Sequence, residues 1–264
     1  MTGARETTIQ VDGADFRVWT AGSGPKVGVF AGFGGLLQWT PFLCKLAETR
    51  TVIVPSLPGF PGGGGRAHVE LDSQLDWLLM AREILNGCEL EGEDLIGISL
   101  GAALAADVTA VWPHKTKKLV LVSPIGICDG DTPIADPWGV TPQKLPALLC
   151  ANPQALEAHQ KMPEGADELE WEVSQIRANE AAARLLWPNG DIGLAKRIGR
   201  IFGETLIIWG SEDKVVPPSH RPLYKNGPCG PVTEKVLDGA GHQADFDRPN
   251  DLAAMIDDYL RIST

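Results

Sequence analysis

The chain has 264 residues, 44% of them apolar, which is enough for the core of one large α/β domain or of a domain with an insertion, and which excludes a disordered chain. A formal net charge of -11, with a single short basic run at Lys115 to Lys118, speaks against nucleic acid or an anionic membrane as partner. Met1 to Thr8 is polar and no apolar run approaches the roughly 20 residues that span a bilayer; the five cysteines are odd in number and form no CxxC pair, so we expect neither signal peptide nor metal site, and free thiols in a cytoplasmic protein.

In chain order, Thr7 to Val11 and Asp15 to Trp19 read as two short strands around the turn Asp12-Gly13. Val27 to Phe30 is a buried strand running into Ala31-Gly32-Phe33-Gly34-Gly35. Leu36 to Glu48 has helical spacing, and Thr51 to Val54 is a β-branched strand ending in Pro55. Pro58 to Gly65 is a glycine-rich loop. Glu70 to Leu85 is amphipathic, with Leu71, Leu75, Leu78, Leu79 and Ile84 on its apolar face. Leu95-Ile96 is a short apolar run suited to a buried strand, Ala102 to Ala110 a helix, and Lys118 to Val122 a strand ending at Ser123-Pro124. Thr205 to Trp209 and Val232 to Leu237 are further strands, and Pro249 to Arg261 is a closing helix. Strands alternating with helices imply right-handed βαβ units and a parallel sheet. The alternation stops near Ile125 and resumes near Thr205, so residues 1–125 and 197–264 are expected to form the core and 126–196 a helical cap inserted over it. Trp138, Leu145, Leu148, Leu149, Trp171, Ile176, Leu185, Leu186 and Trp187 supply that cap's apolar residues.

The chemistry gathers at Gly97-Ile98-Ser99-Leu100-Gly101, a G-x-S-x-G pentapeptide between strand and helix. There the serine Oγ stands clear of the sheet at a strained turn, facing the positive end of a helix. A serine is a weak nucleophile and needs an adjacent base oriented by a third group. Among five histidines, His242 is best placed: it lies in Gly239-Ala240-Gly241-His242, just after the last strand, at the sheet edge where Ser99 also lies. The acid is expected after a strand as well, in Trp209-Gly210-Ser211-Glu212-Asp213. Asp213 is the choice, with Glu212 its neighbouring rival and Asp129 and Asp131, after the preceding strand, the others. Leu100 and Phe33 are the candidate backbone donors of an oxyanion hole.

Val29 to Gly35, the Gly-Ile-Ser-Leu-Gly elbow, Trp209 to Asp213, and Gly-Ala-Gly-His242 followed by Asp247-Arg248-Pro249 together resemble the α/β-hydrolase fold. The likeness is to its capped branch, which includes esterases and meta-cleavage C–C hydrolases. It covers residues 10–125 and 200–262. One departure is Ala31, where many members carry His. Ser rather than Asp at position 99 speaks against the haloalkane dehalogenase and epoxide hydrolase branches. The resemblance implies a mostly parallel eight-stranded sheet with helices on both faces, and a cofactor-free serine hydrolase with a small-molecule substrate. Gly32, Trp138 and Trp187 are expected to bind it. Carboxylic-ester cleavage through an acyl-enzyme is the first reading. C–C hydrolysis of a meta-cleavage product and non-catalytic binding of a small apolar ligand are the alternatives.

Overall fold

The computed structural model describes residues 3–187 and 190–261. Its strands are β1 (Arg5–Val11), β2 (Ala14–Ala21), β3 (Lys26–Phe30), β4 (Thr51–Pro55), β5 (Glu93–Ile98), β6 (Thr116–Val122), β7 (Glu204–Gly210) and β8 (Val232–Leu237). They form one eight-stranded sheet in the order β1-β2-β4-β3-β5-β6-β7-β8. β2 pairs antiparallel with both β1 and β4, and every other pairing is parallel.

The central strands are buried on both faces, and their alternation sorts the side chains into two cores. Val27, Val29, Ile96, Ile98, Val120, Val122, Leu206 and Ile208 point to one side. There they meet α1 (Pro41–Leu46) and α9 (Pro249–Arg261). Leu95, Leu119, Leu121, Ile207 and Trp209 point to the other side, which α2 (Gln74–Gly87) and α3 (Leu100–Val111) cover.

Between β6 and β7 the chain leaves the sheet and forms α4 (Leu145–Leu149), α5 (Pro153–His159) and α6 (Glu168–Leu185). A parallel bridge between Gly126 and Asp191 joins its two ends. α7 (Arg221–Lys225) precedes β8, and α8 (Ala244–Asp247) precedes α9.

Three expectations change. The helix expected from Leu36 starts only at Pro41. Thr40 is extended (φ -94°, ψ 161°) and its side chain accepts the Leu43 N–H; proline disfavours helical geometry in the residue before it and is well suited to the first helical position. The helix expected from Glu70 starts at Gln74, where Ser73 and Asp76 form a reciprocal capping box. Leu75 and Leu79 are exposed, because α2 turns the opposite stripe, with Trp77, Leu78, Ala81 and Ile84, to the core. Finally, Ile176 and Trp187 do not belong to the apolar interior of the 126–196 segment: they are 67% and 77% exposed, whereas Leu149, Leu185 and Leu186 are buried.

Candidate active site

β5 ends at Ile98 and α3 begins at Leu100, so the whole reversal is carried by Ser99, with φ 54° and ψ -118°. A side chain rarely adopts such a backbone, and strain of this kind persists only where the surroundings enforce it. The enforcement is visible on either side. A Cβ on Gly97 would lie 2.4 Å from Ala102 Cα, and one on Gly101 would lie 2.4 Å from the Phe30 carbonyl oxygen. Only glycine lets strand and helix approach this closely. The Ser99 N–H donates to the Val122 carbonyl at 2.9 Å. Its side chain does not cap the helix; Oγ lies 2.7 Å from Nε2 of His242.

The loops after β7 and β8 bring the other two groups. They meet closely, since a Cβ on Gly210 would fall 2.2 Å from the Gly241 carbonyl oxygen. His242 Nδ1 lies 3.0 Å from Asp213 Oδ2 and 3.2 Å from Oδ1. With Nδ1 donating to the carboxylate, Nε2 is free to accept from the Ser99 hydroxyl. Asp213 Oδ1 also accepts the N–H groups of Val215 and Val216, at 2.8 and 3.0 Å. Burial alone would raise the pKa of this carboxyl, but the charge and hydrogen bond of His242 and the two backbone donors outweigh it, and the net shift is downward. Ser99 and His242 are completely buried.

The rivals lie elsewhere. Glu212 is exposed. Asp129 turns to the Thr132 hydroxyl and the Asp131 N–H. His159 accepts the Leu37 N–H at 3.4 Å, and His220 Nε2 is hydrogen-bonded to the Thr132 carbonyl. His68 is buried, with Nε2 3.4 Å from a Glu180 oxygen. Among the described residues no group of His, Cys, Asp or Glu is arranged to hold a metal ion.

Leu100 opens α3, and Phe33 sits in the turn closed by the Gly35 N–H to Gly32 carbonyl bond. Trp138 packs against Phe33, with ring centroids 5.6 Å apart and planes tilted by 59°, and its buried indole N–H has no acceptor among the described residues. The expectation that Trp187 lines a pocket is not met, because the chain passes from buried Leu185 and Leu186 to a side chain turned into solvent. At Gly32 a Cβ would stand 2.8 Å from Nε2 of Gln243, so the loop backbone is in close contact with that amide. Ala31 leaves room for a small cavity beneath the loop, which Gly32, Thr40, Gln243 and Asp245 also line.

Two residues here escape a reading of the sequence. Asp247 accepts N–H groups from Gly241, Ala151 and Asn152 at 2.7, 2.9 and 2.7 Å, and so ties the His242 loop to the 126–196 segment. Its place in the Asp-Arg-Pro motif marked the position without revealing these partners. Gln243 stands next to His242, and nothing in its neighbours signals a role.

The model of the alpha/beta hydrolase family matches residues 29–255. The 2-hydroxy-6-oxo-2,4-heptadienoate hydrolase of Pseudomonas putida is 26% identical over 98% of this chain and 94% of its own length. Among solved structures, a bacterial membrane phospholipase A superposes with a TM-score of 0.78 at 21% identity, over 98% of this chain and 86% of its own. The 2-hydroxy-6-oxo-6-phenylhexa-2,4-dienoate hydrolase of Rhodococcus sp. RHA1 superposes with a TM-score of 0.77 at 20% identity, over 99% of this chain and all of its own. At such identities the structural likeness speaks for the fold alone. With a matching family model over most of its length and the sheet to go with it, the chain belongs to the alpha/beta hydrolase family.

Proposed function

We propose that the protein is a serine hydrolase working through an acyl-enzyme, with Ser99 as nucleophile, His242 as general base and then acid, and Asp213 as the group that orients the imidazole. The observation that carries this reading is the continuous chain from Ser99 Oγ to His242 Nε2 (2.7 Å) and from Nδ1 to Asp213 Oδ2 (3.0 Å), starting at a strained elbow. As Oγ attacks a carbonyl carbon, its proton passes to Nε2, and Asp213 stabilises the imidazolium that forms. The Leu100 and Phe33 N–H groups, with the positive end of α3, hold the oxyanion. His242 returns the proton to the leaving group, and water repeats the sequence to release the acid. Residues 126–196 serve as the cap that closes over this centre.

Cleavage of a carboxylic ester comes first. The side chains against the oxyanion loop include the uncharged Trp138, Phe60 and Gln243, and the one cation at its Leu36 end, Arg17, is engaged by the Leu36 and Pro61 carbonyls, which favours a neutral acyl group. Hydrolysis of a C–C bond is the second reading, and what favours it is the full-length likeness to the Pseudomonas putida dienoate hydrolase. Its substrate carries a carboxylate, for which the cation at the Leu36 end of the loop, Arg17, would have to give up its bonds to the Leu36 and Pro61 carbonyls. Two measurements test the proposal. A fluorophosphonate should label Ser99, and Ser99→Ala should fold normally and lose about 10³-fold or more in kcat; near-normal turnover by the folded variant rules the serine mechanism out. Assaying p-nitrophenyl esters of rising chain length beside 2-hydroxy-6-oxo-2,4-heptadienoate then separates ester from C–C cleavage.

A further inference from the structure

We propose that Gln243 is a positioning residue that holds the oxyanion loop in register with His242. This rests on the serine-hydrolase reading above and deepens it.

Gln243 is 1% exposed and follows directly on His242. Its side-chain Nε2 donates to the Phe33 carbonyl at 3.3 Å. Its backbone N–H donates to the Leu149 carbonyl at 2.8 Å, and its carbonyl accepts the Phe246 N–H at 3.1 Å. One residue therefore joins the base's loop, the oxyanion loop and the end of α4 in the segment between β6 and β7. The orientation of the amide is set by this network. Turned over, Oε1 would face the Phe33 carbonyl and two acceptors would oppose each other. The amide also presses on the loop backbone, at the contact where Gly32 leaves no room for a Cβ.

The other half of the amide argues that packing alone does not explain the choice of Gln. Oε1 is buried and has no donor. A buried acceptor without a partner is destabilising, and an apolar side chain of the same length would avoid it. A residue that costs stability here, and whose one side-chain hydrogen bond goes to the peptide carbonyl of Phe33, fits a role in the site. The Phe33 N–H must point to where charge develops, and errors well below an ångström matter for such a donor. Holding the carbonyl of the same residue fixes that direction.

The test compares Gln243→Met, similar in length and without a donor, with wild type and Ser99→Ala. The substrate is the p-nitrophenyl ester that the wild type turns over best. Gln243→Met should lower kcat by about 10–100-fold, less than the ~10²–10³-fold typical of losing an oxyanion donor outright. KM should stay within about threefold, since the interaction acts in the transition state. Affinity for an aliphatic trifluoromethyl ketone, which adds Ser99 and places an oxyanion in the hole, should fall by the same factor as kcat/KM. The melting temperature should hold or rise. Gly32→Ala, which pushes the same amide, should cost activity too, and the double variant should lose less than the product of the single losses. Should Gln243→Met not fold, Gln243→Leu replaces it.

Two results overturn the inference. One is unchanged kcat and ketone affinity in Gln243→Met. The other is a lower kcat with ketone affinity unchanged. In either case an inactive Ser99→Ala leaves the serine mechanism standing, whereas an active Ser99→Ala removes that mechanism first.

Discussion

Asp213 and Glu212 are neighbours, yet only Asp213 turns inward, because its Oδ1 is caught by the N–H groups of Val215 and Val216. That short turn aims the carboxylate at His242 Nδ1. Asp213→Asn should therefore cut kcat by about 10²–10⁴-fold by losing the right imidazole tautomer, while Glu212→Gln and Asp129→Asn should stay close to wild type; steady-state kinetics on the three proteins checks the assignment. Asp245 is a different case. It is buried, its Oδ1 has no partner, and burial pushes its carboxyl up to about 7. The folded protein thus binds a proton there that the unfolded chain releases near pH 4. Stability from this group is present below the unfolded value and is lost as pH rises through about 7. Asp245→Asn, which cannot ionise, should melt higher than wild type at pH 8, and the gap should close by pH 4. Melting curves across that range decide it, and a gap that stays constant with pH would show that Asp245 does not titrate as described.

At the scale of elements, the sheet is joined to its flanking helices by buried ion pairs as well as by apolar packing. Arg50, just before β4, reaches Asp94 of β5 at 3.1 Å and Asp257 of α9 at 3.3 Å, and is itself only 4% exposed. One cation is thus shared by two carboxylates, and Arg261 brings a second cation to Asp257. Breaking a buried pair by removing one partner leaves an uncompensated charge. Arg50→Met should destabilise the fold by about 3–5 kcal/mol, measurable by urea unfolding, with little effect on KM because Arg50 precedes β4 whereas Ser99 follows β5, at the opposite edge of the sheet. Asp247 links elements in another way: its three backbone N–H donors come from the His242 loop and from residues 151 and 152. Asp247→Ala orphans all three groups. It should lower stability by about 1–3 kcal/mol per donor left buried and unpaired and should also reduce turnover, since one of the donors belongs to the residue before His242.

For the molecule as a whole, Ser99 and His242 are buried, and the segment between β6 and β7 is tied to the His242 loop through Asp247 and through the Leu149 carbonyl. Its tryptophans divide by place. Trp138 packs on Phe33, half-buried, while Trp187 faces solvent at 77% exposure. Trp138→Ala should reorder the preference among ester chain lengths, where one methylene is worth about 1–3 kcal/mol. Trp187→Ala should leave both the ranking and the melting temperature near wild type. A chain-length profile for each variant checks this, and a profile reordered by Trp187→Ala alone would move the pocket wall outward.

The fold, the Ser99 elbow, and the strand-end loops that carry His242 and the Glu212-Asp213 pair were legible in the chain because local signals carry them. Alternating apolar runs set the strands, G-x-S-x-G sets the elbow by sterics alone, and Asp213 and His242 each follow a strand that ends at the same sheet edge. Where local signals misled, a competing local rule or the tertiary packing decided. Pro41 held back α1, the capping box at Ser73 held back α2, and Leu75 and Leu79 turned outward because the core took the other stripe of their helix. Leucines on both sides of a helix cannot reveal which side will meet the sheet. The sequence by itself therefore determined the architecture and the chemical types at its centre. Only the tertiary structure decided that Asp213 rather than Glu212 meets His242, that Gln243 donates to the Phe33 carbonyl, and that Trp138 rather than Trp187 packs on Phe33. The physical reason is separation along the chain: 29 residues part Asp213 from His242 and 210 part Gln243 from Phe33, and no local pattern encodes contacts made by loops that meet only when the sheet is complete.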